Sequence, residues 1–306
     1  MSPLLLLVEL VLLLFPLSLL LLSFKQALSR KKKLPPSPPK FPFIGNLLQL
    51  GSLPHRSLRT LAEKHGPLML LHLGQVPTVV VSSAEMAQEI MRTHDHIFAS
   101  RPSLKAANDL FSGSMDVAFA PYGDYWRQAR KLCTLHLLSA KKVHSFRLAR
   151  EEEVAVMLRK ISRACLSPDP VNLSEVLFSF ANDMICRAVT GNFFREGGRN
   201  DLLREVIEEN TSLLTGFHVE DFFPSLAWLE VLFGLGARAK RNVERWNHVF
   251  EEVIKDHDDR MKDGNKENNF ADVLLCLQKD PNMEFALTEE NIKNILMLLN
   301  GFVGTV

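Results

Sequence analysis

Residues 121–130 read Pro-Tyr-Gly-Asp-Tyr-Trp-Arg-Gln-Ala-Arg, which places a tryptophan and an arginine four positions apart, at Trp126 and Arg130. On a helix this spacing puts both side chains on one face. An indole N–H and a guanidinium on the same face suit a buried carboxylate or two propionates. The alternative from these residues alone is a half-buried tryptophan next to an unrelated surface arginine.

Composition limits the class of protein. The 306 residues suffice for one large domain or two ordinary ones, and the formal net charge is +1 at pH 7. A nearly neutral chain argues against nucleic acid as a partner. The cysteines are widely spaced and form no Cys-x-x-Cys motif, so they predict no metal site and are expected to be buried free thiols: Cys133, Cys165, Cys186 and Cys276.

The N-terminal residues predict a membrane anchor. Residues Pro3 to Phe24 are almost wholly apolar and rich in leucine, which is about the length that crosses a bilayer as a helix. Lys25 and the basic run Arg30–Lys33 follow directly, so the positive-inside rule places the rest of the chain in the cytosol. We predict a single-pass anchor over residues 1–24. A cleaved signal peptide is the alternative, and the length of the apolar run disfavours it.

Residues 25–42 predict a basic and proline-rich hinge. The prolines of Leu34–Pro42 stiffen the backbone and remove hydrogen-bond donors, so this part is expected to be extended. Composition alone also fits a generic linker or a ligand for a peptide-binding domain. The apolar segment Phe43–Leu47 that follows indicates that the hinge docks onto a folded domain, which we place at residues 43–306.

The pattern downstream predicts a mainly α protein of the α+β class. Two β-leaning runs, Leu68–Leu73 and Thr78–Val81, flank Gly74-Gln75 and predict a hairpin. Ser82–Glu85 predicts a capping box that opens a helix to about Thr93. Residues 101–121 are irregular, and helical periodicity then dominates over Tyr125–Leu135, Ala140–Ser162, Leu173–Val189, Leu202–Leu213, Ala237–Lys262, Asn269–Gln278 and Glu289–Val303.

The order of these features resembles the N-terminal part of a plant microsomal cytochrome P450, a haem–thiolate monooxygenase. The resemblance rests on the anchor, the hinge, the Trp126–Arg130 pair and several short motifs in the family's order: Gly66-Pro67-Leu68-Met69, Phe98-Ala99-Ser100-Arg101-Pro102, Ser145-Phe146-Arg147, Asp221-Phe222-Phe223-Pro224 and Asp272-Val273-Leu274-Leu275. It implies the cytochrome P450 fold behind a single transmembrane helix.

The resemblance implies that haem b is the cofactor and that Trp126, Arg130 and Arg101 hold its propionates. For Arg101 a plain surface position is the alternative. Two regions of the family shape the substrate pocket, the loop at about 103–119 and the segment at about 212–231. The candidate pocket residues in them are Phe111, Val117, Phe119 and Phe217, although aromatic residues there also fit the core or a membrane contact.

The resemblance further implies the partners. Electrons would come from NADPH through the membrane-bound NADPH–cytochrome P450 reductase, on the endoplasmic reticulum membrane, and the substrates would be small lipophilic plant metabolites. Arg127 and Lys131 lie one position round the helix from the pair and face outward. They predict either a docking surface for an acidic electron donor or a solvated basic face.

The sequence also departs from a complete enzyme of this kind. The family's Phe-x-x-Gly-x-Arg-x-Cys-x-Gly loop, whose cysteine is the axial haem ligand, does not occur in the 306 residues, so we expect no metal ligand and no catalytic residue within them. The segment Asn294–Thr305 resembles the first part of the family's long central helix. We expect an incomplete fragment that is inactive alone and binds no haem stably. The alternative is a truncated, non-catalytic, membrane-tethered interaction protein.

Overall fold

The computed structural model describes residues 34–166, 169–194, 199–262, 269–281 and 285–301. The expected anchor at residues 1–24 and the basic start of the hinge lie outside these residues. Within the described ranges, no helix combines the length and the apolar character needed to cross a membrane. The chain divides into two compact units, residues 1–87 and 88–306.

A β-hairpin forms the centre of the first unit. Strand β1, Leu68–Leu73, pairs antiparallel with β2, Val76–Val81, around the turn at Gly74. Helix α1, Pro54–His65, precedes it, with a proline in its first turn where the missing N–H costs nothing. Two short apolar runs around a glycine thus give the hairpin that the sequence predicts, although β2 begins two residues before the predicted Thr78. Among the described residues this hairpin is the whole sheet.

The proline-rich segment lies against this hairpin. The N–H of Leu70 donates to the carbonyl of Pro36 at 2.8 Å. Asn46 is fully buried, donates to the carbonyl of Pro39 at 3.1 Å and accepts the N–H of His72 at 2.9 Å. Gly45 has φ +66°, and a Cβ there would lie 2.1 Å from the carbonyl oxygen of His72, so only glycine fits. The docking predicted for the hinge is therefore confirmed for its described residues.

The rest of the chain is helical, as predicted. A short helix α2, Ala84–Gln88, continues as a π-helical segment, Glu89–Thr93. The following helices are α3 Asp95–Phe98, α4 Lys105–Leu110, α5 Asp124–His136, α6 Ala140–Ser145, α7 Arg147–Ala164, α8 Leu173–Thr190, α9 Asn200–Thr215, α10 Val219–Phe222, α11 Glu230–Phe233, α12 Leu235–Lys262, α13 Phe270–Gln278 and α14 Glu289–Gly301.

Two details of the helical prediction are wrong. The single helix expected over Ala140–Ser162 is two helices, because Phe146 has φ −81° and ψ 9° and interrupts the α conformation between α6 and α7. The stretch expected to be irregular contains α4, whose Ala106, Ala107 and Leu110 are buried. Six residues are too few for the periodicity to stand out from the surrounding loop.

The core of the second unit lies between long helices. Helix α8 packs against α7, α13 and α14, and α9 packs against α12 and α14. Trp246 and Phe250 of α12 are fully buried and stack with ring centroids 5.2 Å apart. The apolar stripe of each helix therefore faces the others, which is the arrangement that period-3.6 patterns favour.

The cysteines are all free thiols, but their burial differs from the prediction. Cys133 and Cys186 are buried, and burial raises the pKa of the Cys133 thiol to about 11. Cys276 is half-buried. Cys165 is exposed at the end of α7, so its predicted burial is wrong.

Candidate functional site

Helix α5 brings Trp126 and Arg130 together. The Arg130 guanidinium lies over the Trp126 ring, 5.0 Å from its centroid, which is a cation–π contact. Trp126 is half-buried and Arg130 is exposed. The four-residue spacing read from the sequence thus produces the stacked pair that it predicts.

The indole of Trp126 also holds a loop. Its Nε1–H donates to the carbonyl of Val117 at 2.9 Å. The neighbouring Tyr125 donates its hydroxyl to the carbonyl of Met115 at 2.7 Å. Two consecutive aromatic residues of α5 therefore fasten the loop between α4 and α5, hereafter the 111–123 loop.

A buried carboxylate shapes this loop from inside. Asp116 is fully buried, and its Oδ1 accepts the N–H groups of Ala118 at 2.6 Å and Phe119 at 2.9 Å. Its Oδ2 has no hydrogen-bond partner among the described residues. Burial raises the pKa of Asp116 to about 6, and the two backbone hydrogen bonds limit the rise.

A cavity of about 890 Å³ lies beside the pair. Its wall comes from the 111–123 loop, from α5 and the segment just after it, and from helices α8 and α14, and it is largely apolar: Val117, Ala118, Cys133, Leu138, Ser174, Leu177, Phe178, Ala181, Ile185, Leu298 and Leu299. Val117 is the acceptor of the Trp126 N–H, and Cys133 lies three residues after Arg130 on α5. The stacked pair is therefore linked to the wall at two points.

The comparisons with known proteins agree with one another. The sequence model of the family described as Cytochrome P450 matches residues 35–302. The chain belongs to the cytochrome P450 family. It is 47% identical to Cytochrome P450 71A9 of Glycine max over 289 residues, which are 93% of this chain and 57% of that protein.

Two further P450 relatives carry names that state an activity. The chain is 46% identical to phenylacetaldehyde oxime monooxygenase CYP71AN24 of Prunus mume over 279 residues, 90% of this chain and 52% of the relative. It is 47% identical to indole-2-monooxygenase of Zea mays over 268 residues, 86% of this chain and 49% of the relative. The chain thus spans about half the length of the curated relatives that it matches.

The donor chemistry beside the cavity fits an anionic group of a P450 cofactor. Among the described residues, no carboxylate pairs with the exposed Arg130 guanidinium, and its five N–H donors suit a propionate. The apolar wall suits the face of a macrocycle. The Trp126 N–H, by contrast, is already used by Val117, so the ring of Trp126 serves as a platform for the guanidinium.

The other candidate P450 residues are more scattered. Arg101 is exposed ahead of α4 and makes no ion pair within the described ranges. Of the four candidate pocket residues, Val117 lines the cavity. Phe111 is buried in the core and stacks on Phe119 with centroids 5.8 Å apart, whereas Phe217 is 55% exposed and stacks on Phe222 of α10.

The outward face of α5 carries basic residues, as predicted. Arg127 is exposed, pairs with Asp124 and lies over the ring of Tyr122 with its guanidinium carbon 5.5 Å from the centroid. Lys131 is exposed as well. The Tyr122 ring in turn packs on the Trp126 ring, with centroids 5.6 Å apart, so Arg127 is linked to the stacked pair through Tyr122.

Sequence reasoning missed Asp116. The run Ser112–Asp116 contains small polar residues and a glycine that favour tight turns, and Ser112 and Ser114 adopt positive φ values of 48° and 63°. An aspartate at the end of such a run can accept the backbone N–H groups that follow it. Its full burial, however, comes from packing between distant helices, which this local signal does not contain.

Proposed function

We propose that this chain is the N-terminal part of a haem-dependent monooxygenase that hydroxylates small lipophilic plant metabolites. The observation that carries the proposal is the Arg130 guanidinium, which has no carboxylate partner among the described residues and stacks on Trp126 beside a large apolar cavity. Family membership and the names of two monooxygenase relatives support it.

In this proposal Arg130 binds one propionate through charge-assisted hydrogen bonds, which are stronger than neutral ones. Trp126 fixes the guanidinium by its ring face, and Arg101 supplies a second cation for the other propionate. Haem bound there would supply the iron that activates dioxygen.

The cavity wall supports the choice of substrate class. Aliphatic and aromatic side chains from α8 and α14 face the space, with Ser174 as a polar member. Such a wall favours ligands that gain by leaving water, and it excludes water from the reacting centre. Val117 is the candidate pocket residue through which the 111–123 loop would contact such a ligand.

We also propose the cellular setting implied by the resemblance. Residues 1–24 anchor the protein in the endoplasmic reticulum membrane, with the catalytic domain in the cytosol. Electrons pass from NADPH through the membrane-bound cytochrome P450 reductase, for which Arg127 and Lys131 on the outward face of α5 offer a basic surface.

The test is a chimera in which this chain replaces the matching part of the Glycine max relative. We expect a thiolate-type Soret shift with carbon monoxide after reduction. Arg130→Ala should weaken haem retention by roughly 10- to 100-fold, since hydrogen bonds to charged groups contribute about 1.5–3 kcal/mol. Lys131→Ala, which removes an exposed cation of the same helix, is the matched control and should leave retention unchanged.

Two results would contradict the proposal. Equal haem retention in the Arg130→Ala and Lys131→Ala chimeras would remove the assigned role of the stacked pair. A folded chimera that binds no haem would favour the alternative, a non-catalytic interaction protein tethered to the membrane.

A further inference from the structure

The position of the stacked pair depends on the 111–123 loop, and the loop depends on one buried side chain. We propose that Asp116 is the positioning residue of this anion site: its carboxylate fixes a turn that holds the Val117 carbonyl on the Trp126 N–H and so orients the ring beneath Arg130. The assignment rests on the proposed function for the role of Arg130, but its first steps concern this chain alone.

The first step is the turn itself. One oxygen of Asp116, Oδ1, accepts two successive backbone N–H groups, from Ala118 at 2.6 Å and from Phe119 at 2.9 Å. Such a carboxylate replaces the backbone acceptors that a helix or strand would provide. Because both bonds are made to a fully buried group, water cannot substitute for them when the side chain is removed.

The second step leads from the turn to α5. The turn orients Val117, whose carbonyl accepts the Trp126 N–H at 2.9 Å and whose side chain lines the cavity. On the other side of Asp116, the Met115 carbonyl accepts the Tyr125 hydroxyl at 2.7 Å. The residues on both sides of Asp116 are thus tied to adjacent residues of one helix, so a shift of the turn is transmitted to the indole.

The third step leads from the indole to the cation. Arg130 is exposed, and its contact within the described residues, other than those of its own helix backbone, is the face of the Trp126 ring at 5.0 Å. When a long side chain is held by a single cation–π contact, the position of its charged group changes with the orientation of the ring. Asp116 therefore acts on Arg130 through two intermediates and touches no ligand.

The charge of Asp116 adds a signature that a merely space-filling residue would lack. Burial raises its pKa to about 6. Tyr125 of α5 is the titratable side chain facing it, and burial together with the Asp116 charge raises the pKa of that tyrosine. No Lys, Arg or His within the described ranges pairs with Asp116, so its own protonation dominates the titration of the turn near pH 6.

The experiment uses the full chain without cofactor, labelled with ¹⁵N and held in detergent, and follows the indole N–H resonances. The chain has three tryptophans, so Trp228 and Trp246 are internal controls in the same spectrum. Asp116→Ala should speed hydrogen exchange at Trp126 by about tenfold or more, a factor that corresponds to about 1.4 kcal/mol. Asp116→Asn keeps the Oδ1 acceptor and should restore slow exchange, and the exposed Asp124→Asn should change nothing.

A pH titration keeps the test decisive if Asp116→Ala does not fold. The Trp126 resonance of the unmodified chain should shift with a midpoint near pH 6, and the shift should be lost in Asp116→Asn. If Asp116→Ala does not fold, a Trp126 signal of the unmodified chain that is insensitive to pH would by itself overturn the assignment; if it folds, unchanged exchange at Trp126 in that variant would overturn it. This experiment contains no haem, so its result does not depend on the proposed function. If the chimera bound no haem while the Trp126 resonance still responded to Asp116, the proposed function would be contradicted and this assignment would be supported.

Discussion

Asp116 and Asp272 are both almost completely buried, yet their surroundings are opposite. Asp272 of α13 accepts two hydrogen bonds from Arg260, at 2.8 and 3.0 Å, and one from His257 at 2.9 Å. It also closes a capping box with Asn269 at the start of its helix. Asp116 has two backbone donors on one oxygen and, among the described residues, no cation and no partner for the other oxygen.

The difference separates a group that stabilises the fold from a group that shapes a site. A buried carboxylate whose oxygens are hydrogen-bonded by Arg260, His257 and a helix terminus joins α12 to α13 with both of its oxygens satisfied. A buried carboxylate with one oxygen that lacks a hydrogen-bond partner lowers the stability of the fold. It is found where the surrounding structure holds it in place. The costly one lies beside the cavity, where perturbed groups concentrate in functional proteins.

The largest expected effect is at the satisfied carboxylate. Asp272→Asn should lower the free energy of unfolding by about 3 kcal/mol, because it leaves the buried His257 and the partly exposed Arg260 without their shared anion. Urea unfolding in mild detergent measures it. Asp259→Asn, which breaks the exposed Lys262–Asp259 pair, is the matched control and should change the value by less than about 0.5 kcal/mol.

If Asp272→Asn lowered the free energy of unfolding no more than Asp259→Asn, the comparison would fail. The buried Asp272 would then stabilise the fold no more than the exposed Asp259. An intermediate loss would assign most of the stabilisation to the helix cap rather than to the charge pairs.

The second effect has the opposite sign. Burial raises the pKa of Asp116 in the folded state to about 6 from its ordinary value of 3.8. The folded state therefore binds the proton more tightly than the unfolded state, and stability falls as pH rises from about 4 to about 6. Asp116→Asn carries no charge, so at about pH 7 it should be more stable than the unmodified chain by roughly 1–3 kcal/mol.

Unfolding curves at several pH values check this prediction. The advantage of Asp116→Asn should shrink toward zero below about pH 4, where Asp116 is neutral in both states. A difference that does not vary with pH would mean that the Asp116 charge is not what costs stability.

Much of the fold can be predicted from the local sequence. The hairpin β1–β2 follows from two short apolar runs around Gly74-Gln75, and α5 and α8 follow from period-3.6 stripes that end within a few residues of their predicted bounds. The break between α6 and α7 at Phe146 cannot be predicted from the sequence, because helical patterns continue on both sides of it. A change of φ and ψ at one residue leaves no compositional mark.

The candidate site can be predicted only in part, because some of its contacts depend on tertiary packing. The Trp126–Arg130 stack depends on spacing along one helix, which sequence shows directly. The use of the Trp126 N–H by Val117 depends on how a loop folds back over that helix. Such contacts are set by tertiary packing, and a single sequence carries no record of them.

The smallest expected effect on stability is at Arg130, the cation of the stacked pair, and it can be compared with Arg260, the cation paired with Asp272. Arg130→Ala in the cofactor-free chain should change the free energy of unfolding by less than about 1 kcal/mol, because the exposed guanidinium stacks in solvent. The same substitution in the chimera should cost haem retention. A large stability loss in the cofactor-free chain would make Arg130 a structural residue like Arg260.

The position of α8 in the core sets an order for synthesis. α8 ends at Thr190, whereas α14, which packs on it, begins at Glu289, 99 residues later. At about 5–20 residues per second, the ribosome releases α14 roughly 5–20 s after α8. During that interval the part of α8 that packs on α14 has no native cover, so the nascent chain presents there a chaperone-binding surface that the finished fold conceals.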